Sequence, residues 1–150
     1  MLTPPDVEKV RDEWEAKGLG ACGPTVVAVA VSMNVQEVID KWDEEYQGTA
    51  NVGHIERELR KYGLITKRIA GRKSKMLAMP PDCLQAVAFI QWGEHKHWIE
   101  AQKHTHWVYL ETWGGHTHVF CNGYGWFSDD TKYFREYLKD GHVRSYMAIV

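Results

Sequence analysis

Cys22 is the residue whose type and setting are best suited to chemistry. It stands in Ala21-Cys22-Gly23-Pro24-Thr25, directly before the apolar run Val26-Val27-Ala28-Val29-Ala30-Val31. A cysteine opening a helix meets unpaired backbone N–H groups and the positive end of the helix dipole, which stabilise a thiolate and make the thiol a nucleophile. Gly20 and Gly23 permit tight turns and close approach of a substrate backbone. A thiolate also needs an imidazole partner. His97, preceding Trp98-Ile99-Glu100-Ala101, is the histidine expected at the start of a strand facing such a helix end. Glu111 at the end of the next strand, with Thr112 as the adjacent alternative, is the expected acceptor orienting that ring. A lone cysteine before an apolar helix is more often a small buried side chain. The Gly-Pro context and the histidine favour the nucleophile. Cys83 and Cys121 lie in strand-like surroundings and are expected to be structural.

Two other groups of residues compete for function. Six of the eight histidines form three His-x-His pairs, His95 with His97, His104 with His106 and His116 with His118. Residues two apart on a strand share a face, so each pair could chelate a metal. If Gln102-Lys103 is a two-residue turn, His95, His97, His104 and His106 share one face. The simpler reading is that these histidines decorate a partly solvated sheet, and no metal or cofactor is expected. Trp92, Trp98, Trp107, Trp113 and Trp126 crowd the same region. Core packing accounts for most of them, while Trp98 and Trp113 at a rim would grip a peptide through flat apolar surface.

The elements that must position these residues follow from periodicity and punctuation. Apolar residues at helical spacing predict helices over 7–17 and around Val52, Ile55 and Leu59, where Asn51 caps and Gly63 stops. Periodicity leaves the apolar run after Cys22 open between a buried helix and a buried strand; the small residues Ala28 and Ala30, Pro24 in a first-turn position and the Asn34…Glu37 capping box that follows favour a helix and then a second short one. A strand is expected over 64–69 and a solvated basic loop over 70–82. Period-two patterning then predicts strands over 84–92, 97–101, 105–111 and 117–121. A helix capped by Ser128-Asp129-Asp130 runs through Phe134 and Leu138, and a last strand covers 143–150. Helices first and strands afterwards make an α+β domain in two layers, with 1–150 as one domain.

Composition narrows the function classes. The chain has 150 residues, is 44% hydrophobic and 25% charged, and carries a net charge of −2 with the signs interspersed. Nucleic acid is disfavoured as a partner because no basic block exists to neutralise phosphates. A membrane span is excluded by an apolar run far short of about twenty residues. The start of the chain lacks a signal-peptide pattern, so a cytoplasmic protein is expected. Three cysteines without a C-x-x-C pair fit neither a disulfide framework nor a zinc knuckle. Neither a Gly-rich phosphate loop nor a Gly-x-Ser-x-Gly elbow occurs.

Ala21-Cys22-Gly23-Pro24-Thr25 with its helix, His97-Trp98-Ile99, and Val108-Tyr109-Leu110-Glu111-Thr112-Trp113-Gly114-Gly115 together resemble papain-like cysteine peptidases of the bacteriocin-processing, double-glycine-cleaving branch. The resemblance implies a nucleophile helix packed on an antiparallel sheet, and a peptide or isopeptide bond cleaved by Cys22, His97 and Glu111 in a peptide or protein substrate. The family's oxyanion-stabilising Gln, six residues before the cysteine, is replaced by Ala16. That exchange makes a slow or inactive relative, a papain-like module that binds protein without cutting it, the second expectation. A His-cluster metal protein is the third.

Overall fold

The computed structural model describes residues 2–93, 97, 101 and 103–150. The elements in chain order are α1 (Val7–Ala16), α2 (Cys22–Val31), α3 (Val35–Asp40), α4 (Val52–Lys61), β1 (Thr66–Ser74), β2 (Gln85–Trp92), β3 (Thr105–Trp113), β4 (His116–Cys121), β5 (Gly125–Ser128), α5 (Lys132–Glu136) and β6 (Gly141–Ile149).

Each helix of the first half ends where its sequence must turn. After α1 and α4, Gly18 and Gly63 take φ of 72° and 84°, a left-handed conformation that costs a side-chain-free residue little. In both places the next two amides fold back onto the helix's orphan carbonyls. Gly18 N–H and Leu19 N–H bond Glu15 O and Trp14 O, and Gly63 N–H and Leu64 N–H bond Arg60 O and Leu59 O. The expected cap of α4 is present: Asn51 accepts from the His54 amide, and His54 Nδ1 accepts in return from the Asn51 amide. The cap of α3 differs from expectation. Asn34 bonds the Glu37 carboxylate, while the orphan amides of Val35 and Gln36 are taken by the two oxygens of Asp6, each at 2.8 Å. Asp6 precedes α1, so this contact also ties α1 to α3. Asp6→Ala is expected to lower unfolding free energy by about 1 kcal/mol at unchanged urea m-value, read from the denaturation midpoint.

The strands form one antiparallel sheet in the order β1-β6-β2-β3-β4-β5. Its two faces are both covered. On one side Val87, Trp107, Tyr109, Phe120 and Met147 pack against the helical layer, including Val26, Val27, Ile55 and Leu59. On the other, Ala88, Ile90, Val108, Leu110 and Val119 pack against Leu77, Phe127, Phe134 and Leu138. Helix α2 is apolar around its whole circumference, with Gly23 to Val29 buried, as a helix enclosed by neighbours must be. Pro24 is tolerated because it falls in the first turn, where its missing N–H would have had no intrahelical acceptor.

The structure revises four expectations. β1 continues to Ser74, through the stretch expected to be a loop, with a register shift against β6 between Ala70 and Ser74. There is no strand over 97–101 in what is described: His97 lies in an exposed bend, and the Ala101 amide donates to His97 O at 3.0 Å. Trp98 lies outside the described residues, as do Glu94, His95, Ile99 and Gln102. β2 therefore pairs with β3 across a longer connection closed by Trp92 N–H to His104 O, not by a two-residue turn at 102–103. Gln91 secures the near end of that connection, its side-chain amide donating to Ala101 O and His104 O. Finally, a short strand, β5, precedes α5, whose cap is Thr131 rather than the Ser128-Asp129-Asp130 stretch.

Candidate active site

Cys22 is the first residue of α2, half-buried, and its helix packs on β3. The Gly23 backbone explains how closely the helix start can dock: a Cβ there would come within 2.8 Å of the Ala50 Cβ. Trp107 Nε1 donates to Ala50 O at 3.0 Å, so the loop under the helix start is bound to β3 directly. β4 ends at Cys121, opposite Val108 in the hairpin register, and the side of Trp107 facing β4 is left without a strand partner. The Cys22 sulfur takes the Trp107 amide there.

The imidazole at Cys22 is His106. Burial alone would push the Cys22 thiol up, but hydrogen bonding to His106, the charge of that ring and the Trp107 amide outweigh it, and the thiol lies below its ordinary value. His106 responds in kind. Burial opposes its charge, yet hydrogen bonds and charge from Cys121 and Cys22 raise it to about 10. His106 Nε2 lies 3.2 Å from Cys121 Sγ, and Tyr137 O–H donates to the same sulfur at 3.3 Å. Burial raises the Cys121 thiol, while His106, Tyr137 and the Gly123 amide bring it down to about 7. One imidazolium thus faces two thiols, and the like charge of Cys121 raises Cys22. A pocket of about 540 Å³ opens beside His106 and Cys121, walled by Trp92, Tyr124, Tyr133 and Tyr137.

His97 and Glu111 are not part of this grouping. His97 is exposed in its bend, and the ring beside Cys22 comes from β3 instead. Glu111 lies five residues beyond His106 on an extended strand, roughly 17 Å along it, and accepts from Tyr109 O–H at 3.3 Å. Odd spacing also puts it on the opposite face of β3. Thr112, its neighbour, is equally distant, with its amide bonded to Leu84 O. Gly20 is exposed in the loop before Cys22, its carbonyl held by Tyr46 O–H at 3.0 Å, whereas Gly23 is buried beneath the helix start. Trp113 is at the far end of β3, 48% exposed, stacked on the His118 ring at 3.9 Å. Of the other described histidines, His116 pairs with Asp129 at 2.8 Å and His54 caps α4. No group of three or more His, Cys, Asp or Glu able to hold a metal is found among the described residues. Ala16, at the position of the family's Gln, is the exposed last residue of α1. Cys83, expected to be structural, is half-buried, and burial raises its thiol.

The sequence contained the signal for His106 and Cys121. His106-Trp107-Val108 has the same His-aromatic-aliphatic form as His97-Trp98-Ile99. It is His106 that opens a strand of full length, Thr105–Trp113. A hairpin turning at Gly114-Gly115 pairs Trp113 with His116 and so extrapolates Val108 onto Cys121, one diagonal step from His106 on the same face.

No family model matches the sequence, and no curated protein does. No helix among the described residues is long and apolar enough to cross a membrane. Solved structures are similar in fold. The peptidase domain of Streptococcus ComA, a bifunctional ABC transporter involved in a quorum-sensing pathway, covers 87% of this chain and 90% of its own at 12% identity, with a TM-score of 0.47. A double-glycine motif protease from an AMS/PCAT transporter, solved in complex with the leader peptide, covers 85% of this chain and 82% of its own at 15% identity, with a TM-score of 0.53. The helical layer and antiparallel sheet of this chain thus have the fold of the double-glycine peptidase domain, a papain-like α+β architecture.

Proposed function

We propose that the chain is, as one domain, a cysteine peptidase or related acyl-transfer enzyme acting on peptide or isopeptide bonds, with Cys22 as nucleophile and His106 as its acid and base. The observation that carries this reading is the pairing of a lowered thiol at a helix start with a raised imidazole from β3. Between the lowered value of Cys22 and about 10 for His106, thiolate and imidazolium coexist. The thiolate attacks the carbonyl carbon, and the amide at Cys22 and the α2 dipole stabilise the oxyanion. His106 gives its proton to the leaving amine as the C–N bond breaks, leaving a thioester on Cys22. Neutral His106 then takes a proton from water, whose oxygen attacks the thioester and frees the thiolate. The reaction needs a reduced thiol and no cofactor, and we take the compartment to be the cytoplasm, where thiols stay reduced.

By likeness to the transporter protease, we infer a peptide substrate with small residues before the cleaved bond. Gly20, exposed two residues before Cys22, is the backbone position this reading assigns to the peptide's approach. Incubation with peptides ending in Gly-Gly-aryl amide is expected to release the arylamine and leave a transient thioester mass on Cys22. Cys22→Ala should lower release by about a thousandfold or more. Ala16, and a sulfur rather than a carboxylate at His106, favour a second reading as a module that binds such peptides without cutting them. Equal peptide binding by both proteins, with no thioester on either, would establish it in place of the enzyme.

A further inference from the structure

We propose that Cys121 is the residue that positions the His106 ring for Cys22, its sulfur serving as acceptor at Nε2. The inference rests on the Cys22–His106 reading and extends it to the group behind the imidazole. In a thiol–imidazole pair, one ring nitrogen must face the nucleophile while the other is held, or the ring turns and the tautomer is lost. At 3.2 Å, the Cys121 sulfur is the acceptor beside Nε2. Its own location is rigid. Cys121 is the last residue of β4, 7% exposed, and its backbone is fixed by pairing to β5 at Gly125.

The surroundings of the sulfur suit an acceptor. Tyr137 O–H donates to it at 3.3 Å, and the Gly123 amide points to it from the turn after β4. Two donors in addition to His106 leave the sulfur as the electron-rich partner of the group. The charged and titratable neighbours are Cys22 from α2, Lys103 and His104 from the turn before β3, His106 from its start, Tyr124 from the turn after β4, and Tyr133 and Tyr137 from α5 and its end. A buried structural cysteine has no need of three donors, since the thiol is a weak acceptor that packs as a small apolar group.

The test reads the ring directly. Nitrogen-15 NMR titration of His106 is compared in the wild type, Cys121→Ala, Cys121→Ser, Cys121→Asp and Cys22→Ala, with iodoacetamide labelling of Cys22 in parallel. Loss of the sulfur in Cys121→Ala is expected to lower the ring's titration midpoint by about one unit or more, a tenfold loss of proton affinity. Cys121→Asp, restoring a charged acceptor, should return it to at least the wild-type midpoint. Cys121→Ser should keep the proton on Nε2 at alkaline pH, and it answers the question if the alanine or aspartate protein does not fold. A midpoint unchanged in Cys121→Ala and lowered in Cys22→Ala would overturn the assignment while leaving the Cys22–His106 pair intact. A midpoint that falls in Cys121→Ala but ignores Cys22→Ala would keep Cys121 as the acceptor on the ring while overturning both the Cys22–His106 pair and a ring positioned for Cys22.

Discussion

His106→Ala is expected to carry the Cys22 thiol from below its ordinary value to above it. Burial, the largest influence on that thiol, pushes it up, and the hydrogen bond and charge of His106 are the chief forces bringing it down. Without the ring, the Trp107 amide alone opposes burial, and the thiol should titrate above about 8.5. At pH 6 the thiolate fraction, and with it the rate of carbamidomethylation at Cys22, should fall about a hundredfold. The rate is read by mass spectrometry of the Cys22 peptide after digestion, which separates it from the other thiols, with Cys121 kept in both proteins. His97→Ala is the comparison and should stay within about twofold, because that side chain is exposed in a bend. The reverse ranking of the two histidines would return the base to His97. The same pairing sets the pH profile of turnover: the alkaline limb should fall near 10, where the imidazolium is lost, and the acid limb should lie below the ordinary thiol value.

The largest loss of stability is expected from Gly71→Ala. A Cβ at this position of β1 would lie 2.3 Å from the Val143 carbonyl oxygen and 2.7 Å from its carbon. Both atoms are backbone of β6, so no side chain can rotate away, and the strands must separate. The register shift between Ala70 and Ser74 marks where β1 passes over β6 at this close range. Overpacking against a side chain costs up to about 3 kcal/mol, and a clash with backbone should reach at least that. Urea denaturation reads it as a lower midpoint. Gly123→Ala, where a Cβ meets nothing within 4 Å, is the control and should stay within about 0.5 kcal/mol of wild type. Equal midpoints for the two variants would mean that β1 can move off β6 without cost.

The same residue explains one of the places where the sequence misleads. Gly71 and its basic neighbours carry the local pattern of a solvated loop, and the pairing that makes them strand comes from β6, seventy residues away in sequence. Tertiary pairing overrides local composition there. Helices α1, α2 and α4 were legible because each carries its own punctuation, with Gly18 and Gly63 as stops and Asn51 and Pro24 at starts. The α3 helix was legible but its cap was not, since Asp6 supplies it from another element. Cys22 was legible from a five-residue context, as a local feature of one helix end. The choice between His97 and His106 was not, because both precede a tryptophan and an aliphatic residue, and only the length of the strand that follows separates them. Cys121 was read as structural because a cysteine in a strand has no local mark of function. Its role depends on the register of the β3–β4 hairpin, which the Gly114-Gly115 turn sets.

Strand β6 lies between β1 and β2 in the sheet although it follows both of them, and β3 to β5, along the chain. While the chain is still growing on the ribosome, β1 has no sheet neighbour, and β2 presents an unpaired edge where β6 will later insert. The hairpins β2–β3, β3–β4 and β4–β5 can form locally as they emerge, whereas β1 pairs only across the whole intervening chain. Exposed strand edges of this kind invite pairing with other chains, so the growing chain is most open to misassociation in the interval before β6 has formed. Insertion of β6 then joins β1 to the rest of the sheet and brings Met147 into the core beneath the helical layer.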